Sequence, residues 1–260
     1  MRNFKRVLSI ALELIMAVVC FAGCKSSKAD YVIYSDNAFA PFEFLGDNDK
    51  YVGIDMDILA AVAEDQGFTY EMHNVGFDAA MGAVQSGQAD AMIAGMTITD
   101  ERKENMGISE PYMQNKQVLV VKAENLEKFS DAANFADAKI VAESKSAGET
   151  VATTDELFKD SVFTAVDTQA KTLMEVKSGT ADAAILDYVA SIGMIGEGTD
   201  YDMLTVVEKY EFSPEQYGIA FRKDDNEMRE KFQKAIDELM EDGTIEKIAK
   251  KYKLDSLLVK

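Results

Sequence analysis

The 260-residue chain has no tryptophan, one histidine and two cysteines. A lone His73 excludes a multi-histidine metal site, and any His-dependent catalytic triad would have to rest on it. Both cysteines, Cys20 and Cys24, fall within the first 24 residues, so no disulfide framework can staple the body of the chain. Positive charge is scarce: 27 Lys and Arg stand against 46 Asp and Glu, a formal net charge of −19. Nucleic acid and anionic lipid are poor partners for such a surface. Beyond residue 23 no run is long and apolar enough to span a bilayer. What remains is 47% hydrophobic, which supports a sizeable core in one or two domains.

Residues 1–23 read as a targeting segment. Arg2, Lys5 and Arg6 form a basic start, and Val7–Gly23 is apolar except for Glu13. "FAGC" resembles a bacterial lipobox, in which Cys24 is lipidated and becomes the mature N-terminus, although Phe21 stands where leucine is usual. An ordinary signal peptide or an uncleaved anchor is the other reading. Cys20 is a poorer site because bulky Val19 precedes it. Cleavage before Cys24 removes three bases and one acid, leaving 24 bases, 45 acids and a net charge of −21. Residues 24–29 then form a short polar tether.

The rest alternates between strands and helices, which argues for parallel βαβ units in an α/β fold. Tyr31–Ser35 is a β-rich run. Asp55–Gln66 is an amphipathic helix stopped by Gly67, residues 68–75 a strand, Phe77–Ser86 a helix and residues 89–96 a buried strand. After Pro111 the pattern restarts. Strands fall at Gln117–Val121, 139–144, 162–167, 181–187 and 217–222, with a helix at Thr168–Ser178. Two helices, Asn226–Glu241 and Thr244–Tyr252, close the chain.

"VQSGQADAM" (84–92) and "VKSGTADAA" (176–184) echo each other at a constant offset of 92. The offset places Gly95 opposite Asp187, each at the carboxyl end of a buried strand, where open α/β sheets bind ligands. Near Gly95 lies "TITDER", with Arg102 just inside a helix start, where the macrodipole disfavours a cation. Either Thr99 caps a helix and Arg102 faces solvent, or the helix end and the guanidinium share an anion. If the halves face each other, backbone N–H groups, Thr97 and Arg102 oppose the Asp187 carboxylate, and a zwitterion such as an α-amino acid would bridge them. Taken singly, Phe39 and Phe77 read as core, His73 as structural and Asp187 as a helix N-cap; the turn before Pro41 suggests part exposure for Phe39.

"SDNAFAPFEF", "YVGIDMDILAAVAEDQG", "AVQSGQADAMIAGMTITDER", "ISEPY" and "EQYGIAFRK" occur in the order and at the spacing of a known family. The chain resembles the family 3 extracellular solute-binding proteins, the polar amino-acid receptors of bacterial ABC importers, over nearly all of residues 30–253. The glutamine-binding type is the nearest branch named, with the lysine/arginine/ornithine and histidine receptors beside it. The resemblance implies a two-lobed periplasmic-binding-protein-like fold of type II, each lobe a mixed sheet flanked by helices. Lobe 1 would take residues 30–111 and 218–260 and lobe 2 residues 117–212, with hinge strands at 112–116 and 213–217. It implies a non-enzymatic, lipid-anchored extracytoplasmic monomer that uses no cofactor or metal and delivers its amino acid to a membrane permease.

Carried over by position, the resemblance implies that Arg102 holds the ligand carboxylate with the Thr97 N–H. Gly95 and Thr97 would help receive the ammonium, with Asp187 as its counter-charge. Phe39 and Phe77 would sandwich the side chain, and Asp36 and Ala94 would line its polar end. The loop "ESKSAGE" (143–149) departs from the family: Lys145 replaces a glycine, Ser146 a threonine, and Ala147 offers only its N–H. Glu143 stands where the glutamine type has lysine and Leu186 where it has histidine. These exchanges leave glutamine and a basic amino acid as equal candidates and disfavour an acidic one. An enzyme of the same fold, such as a cyclohexadienyl dehydratase, or a sensor module is the alternative. An enzyme would need a poised acid or base among Asp36, Glu143 and Asp187.

Overall fold

The computed structural model describes residues 28–259 apart from Glu211 and Ser213. The targeting segment and Cys24 lie outside the described residues.

Two sheets of like design meet edge to edge. The first is built from β1 (Tyr31–Asp36), β4 (Tyr70–Val75) and β5 (Ala91–Thr97). β1 pairs in parallel with both of the others. The second repeats the scheme with β8 (Lys139–Glu143) between β9 (Val162–Val166) and β10 (Ala183–Asp187), again all parallel. The offset of 92 holds for whole elements: β4 and β9 start at 70 and 162, α2 (Phe77–Gln85) and α6 (Gln169–Ser178) at 77 and 169, and β5 and β10 at 91 and 183.

Two long strands join the lobes. β7 (Met113–Lys122) and β12 (Pro214–Phe221) pair antiparallel through Lys116↔Pro214 to Met113↔Tyr217. Beyond that stretch β7 runs against β10, Gln117 facing Asp187, and β12 runs against β5, Tyr217 facing Thr97. A single sheet therefore passes through the order β4-β1-β5-β12-β7-β10-β8-β9. Residue patterning starts the β7 strand at Gln117, but pairing extends it back to Met113. Its inward positions there include Asn115, a polar residue that breaks the apolar alternation because it faces the cleft rather than a core.

The first lobe's core lies between α1 (Ile54–Gln66), with Ile54, Ile58, Leu59 and Val62 buried, and α8 (Asn226–Glu241), with Phe232, Ile236 and Leu239 buried. Phe68 stacks on Phe232 at 5.2 Å, which returns the C-terminal helices to the first lobe. α1 ends on Gly67 at φ 64°, a left-handed position that glycine takes without strain. The second lobe has its own aromatic core of Phe129, Phe135 and Phe158. Leu186 is fully buried on β10. Among the described residues no helix is long and apolar enough to cross a membrane.

Candidate functional site

Strand ends and helix starts converge on the cleft between the lobes. A narrow cavity there is lined by Asp36, Phe39, Phe77, Ala94, Gly95, Thr97, Arg102, Glu143, Ser146, Ala147, Gln169 and Asp187. All eleven residues singled out from the sequence thus meet in one place, and Gln169 joins them. Gln169 opens α6 as Phe77 opens α2, so the offset of 92 could have located it.

Arg102 sits in α3 (Asp100–Asn105), whose N-cap Thr99 accepts the Arg102 N–H at 3.1 Å. Its side chain does not face solvent: it is 8% exposed and its guanidinium lies 5.2 Å from the centre of the Phe77 ring. Nη1 donates to the Thr97 carbonyl at 2.7 Å and Nη2 donates across the cleft to the Lys145 carbonyl at 2.8 Å. A guanidinium has five N–H donors in a fixed fork, so one side chain can tie both lobes and still present donors to a carboxylate.

Asp187 occupies the N-cap position of α7 (Tyr188–Met194), yet its side chain caps nothing. The N-cap expectation fails because the carboxylate turns into the cleft and accepts four other bonds. Oδ1 accepts from Asn115 at 2.5 Å, Gln117 at 3.0 Å and Tyr217 at 2.6 Å. Oδ2 accepts from Gln169 at 2.7 Å. Gln169 also takes the Asp187 N–H on its Oε1 at 3.4 Å, a reciprocal pair that fixes the carboxylate plane. Glu215 on β12 accepts from Thr97 Oγ1, Asn115 and Gln117 in the same network. Burial and the neighbouring Asp187 push Glu215 up to about 7.

Gly95 is held at φ +50°, and a Cβ there would lie 2.3 Å from the Phe39 ring, so no other residue fits. Its N–H already donates to Asp55 Oδ2 at 2.8 Å, which leaves its carbonyl rather than its N–H for a ligand. Phe39 is buried, stacked on Phe42 at 5.1 Å. The part exposure expected of its turn is not found, because the ring packs on Phe42, lies 6.5 Å from the Tyr217 ring and abuts Gly95. Ser146 caps α5 (Ala147–Thr154) by accepting the Glu149 N–H at 3.2 Å.

The far end of the cavity is acidic. Asp36 closes β1 and Glu143 closes β8, one from each lobe, at 1% and 3% exposure. Asp36 Oδ1 accepts from the Asn37 and Ala38 N–H groups, but Asp36 Oδ2 and Glu143 Oε1 meet no donor. The two carboxyls line one cavity from opposite lobes. As two carboxylates neither can donate; with one proton between them they form a bond. Burial, the largest cause, pushes Asp36 up to about 6, and burial with the Asp36 charge raises Glu143 well above the usual carboxylate range. Behind them Glu43 is fully buried with both oxygens unpartnered, and burial beside Asp55, Asp36 and Glu143 holds it protonated far above its ordinary range. Asp55, bonded to the Tyr112 hydroxyl, is pushed by burial up to about 7.

Lys145, the one cation the sequence offers to balance these acids, is exposed and does not line the cavity. Among the described residues Asp36, Glu43, Asp55, Glu143 and Asp187 are buried acids, against the single buried base Arg102. Among the same residues no group of three or more His, Cys, Asp or Glu is arranged to hold a metal ion. His73 lies outside the cleft, stacked on Tyr34 at 4.8 Å.

A two-lobed sheet with a polar cleft at its crossing strands, lined by one guanidinium and several carboxyls, is the architecture of a ligand-binding protein. The chain matches bacterial extracellular solute-binding proteins, family 3, over residues 31–255, and belongs to that family. It is 28% identical to the arginine-binding extracellular protein ArtP of Bacillus subtilis (strain 168), across 93% of this chain and 96% of that one. An ancestral arginine-binding protein solved with bound arginine is 33% identical, with a TM-score of 0.75 over 85% of this chain and 97% of that one. An ancestral arginine-binding protein bound to glutamine is 32% identical, with a TM-score of 0.73 over 85% and 96% of the two chains.

Proposed function

We propose that this chain captures a cationic amino acid, arginine, lysine or ornithine, between its lobes and delivers it to an ABC permease. The observation that carries the ligand class is the charge of the cavity wall. Three carboxylates, Asp36, Glu143 and Asp187, face one guanidinium, a formal charge of −2. Arg102 would take the ligand carboxylate bidentately, Asp187 the ammonium, and Phe39 and Phe77 the side-chain stem. Asp36 and Glu143 then receive the distal cation. A net-positive ligand reduces the imbalance, glutamine leaves it at −2, and glutamate adds a third uncompensated negative charge in a buried site.

Calorimetry with arginine, lysine, ornithine, glutamine and glutamate tests this. A basic amino acid should bind tightest and glutamate weakest; tight glutamate binding would overturn the assignment. Recovery of the bound amino acid unchanged after prolonged incubation is expected of a receptor, and its conversion would favour an enzyme of this fold. The crossing strands, over residues 112–116 and 213–217, would act as the hinge between a first lobe of 30–111 with 218–260 and a second of 117–212.

Anchoring belongs to the same proposal. Cleavage before Cys24 and its acylation would tether a monomeric receptor to the outer face of the membrane through residues 24–29. Cys24→Ala should move the protein from the membrane fraction to the soluble one. A mutant that stays membrane-bound at full length would make the segment an uncleaved anchor.

A further inference from the structure

Asp36 and Glu143 come from different lobes and line one cavity, so they face each other only when the lobes meet. Each carries a buried oxygen that meets no donor, and both oxygens belong to carboxyls that line the cavity. The groups facing the pair from the surrounding elements are few. Glu43 and, behind it, Asp55 of α1 lie on the Asp36 side. Asp187 of β10, Arg102 of α3 and Gln169 of α6 act on Glu143. Glu215 of β12 and Glu101 act on Arg102. Negative charge dominates every direction except that of Arg102, which is already engaged by the Thr97 and Lys145 carbonyls. Two ionised carboxylates therefore cannot close against each other here, whereas a pair holding one proton can.

We propose that Asp36 and Glu143 form a proton latch across the cleft: a shared proton closes the ligand-free clamp, and a cationic side chain enters by taking that proton's place, releasing it to solvent. The proposal rests on the cationic-ligand reading above. Protons and cationic amino acids are then competing effectors that favour the same closed geometry. The direction with pH follows from the two states. In the open clamp both carboxyls face water and lose their protons near pH 4. In the closed clamp Asp36 keeps a proton up to about pH 6, and burial with the Asp36 charge holds the proton of Glu143 well above the ordinary carboxylate range. From about pH 4 up through the raised Glu143 range the closed state binds more protons than the open one, so acidification favours the ligand-free closed state and weakens cation binding.

The test has two arms. Small-angle scattering on the ligand-free protein should give a smaller radius of gyration at pH 5 than at pH 7.5, with circular dichroism unchanged. Calorimetry should show arginine binding at least about tenfold weaker at pH 5 than at pH 7, since a single competing proton held near pH 6 already produces that fall and Glu143 holds its proton more tightly. Near pH 6, buffers of different ionisation enthalpy should report net proton release on arginine binding. Glu143→Gln supplies an amide that donates to Asp36 without any proton. It should close the ligand-free clamp at both pH values and flatten the pH dependence of arginine binding; Asp36→Asn gives a second variant with the pair's shared proton removed. Arginine affinity constant within twofold from pH 5 to pH 7.5, with an unchanged ligand-free radius, would overturn the latch while leaving the ligand class standing. Failure of every basic amino acid to bind at pH 7.5 would overturn the ligand class, and the ligand-free scattering arm would still decide the latch.

Discussion

Arg102→Ala should weaken amino-acid binding by roughly 30-fold to several thousand-fold, the equivalent of about 2–5 kcal/mol for removing one partner of a buried charge pair. The loss has two sources acting in one direction. The ligand carboxylate loses its only buried cationic partner among the described residues. Closure loses the hydrogen bond from Nη2 to the Lys145 carbonyl on the opposite lobe. Arg102→Lys separates the two: it retains the charge but cannot reproduce the fork that spans Thr97, Lys145 and a carboxylate. Its affinity should fall between those of the wild type and the alanine variant. Calorimetry on protein with a wild-type circular dichroism spectrum measures both, and an alanine variant within threefold of wild type would remove Arg102 from the binding site.

The repeat of βαβ units was legible because helix stops and buried strands leave strong local marks. Ser-Gly before Ala-Asp-Ala fixes where α2 and α6 end and where β5 and β10 begin, and the offset of 92 then carries Gly95 onto Asp187. The convergence of Asp36, Arg102 and Asp187 needed more than periodicity. It followed from placing strand ends together and from the family resemblance, since residues 36, 102 and 187 are remote in sequence.

What the sequence concealed is mostly polar and buried. Glu43 in "PFEF" carries no mark of burial in the sequence, yet it is fully buried and neither carboxyl oxygen has a hydrogen-bond partner. Asn115 and Gln117 look like surface residues of a strand, whereas they donate to Asp187 and Glu215 inside the crossing. The partners of Asn115 and Gln117 are remote in sequence, and residue spacing within one element carries no trace of them. The side-chain direction of Lys145 was equally hidden. Its backbone takes φ +61° and its N–H bonds to Glu149 Oε2 at 2.5 Å, a turn that presents its carbonyl to Arg102 while its side chain stays exposed.

Glu143→Lys should weaken arginine and lysine binding at least 100-fold and improve binding of glutamine and glutamate relative to them. Position 143 is 3% exposed and faces Asp36 from the opposite lobe. Reversing its sign takes the cavity wall from a formal −2 to neutral. The distal cation of the ligand then loses one carboxylate and meets a like charge. At about 4 Å and an effective dielectric near 20, a single such pair is worth roughly 4 kcal/mol; desolvation offsets part of this, and a hundredfold loss corresponds to about 2.7 kcal/mol. The introduced ammonium would pair with Asp36 and close the cleft without a proton or a cationic ligand, which is the condition that admits a neutral amide side chain. Calorimetry with the four amino acids on wild type and variant measures the exchange, and glutamine binding by the variant would show that its fold is intact. Arginine held within tenfold of the wild-type affinity would mean that the distal cation does not lie between Asp36 and Glu143, and the charge of the cavity wall would no longer account for the choice of ligand.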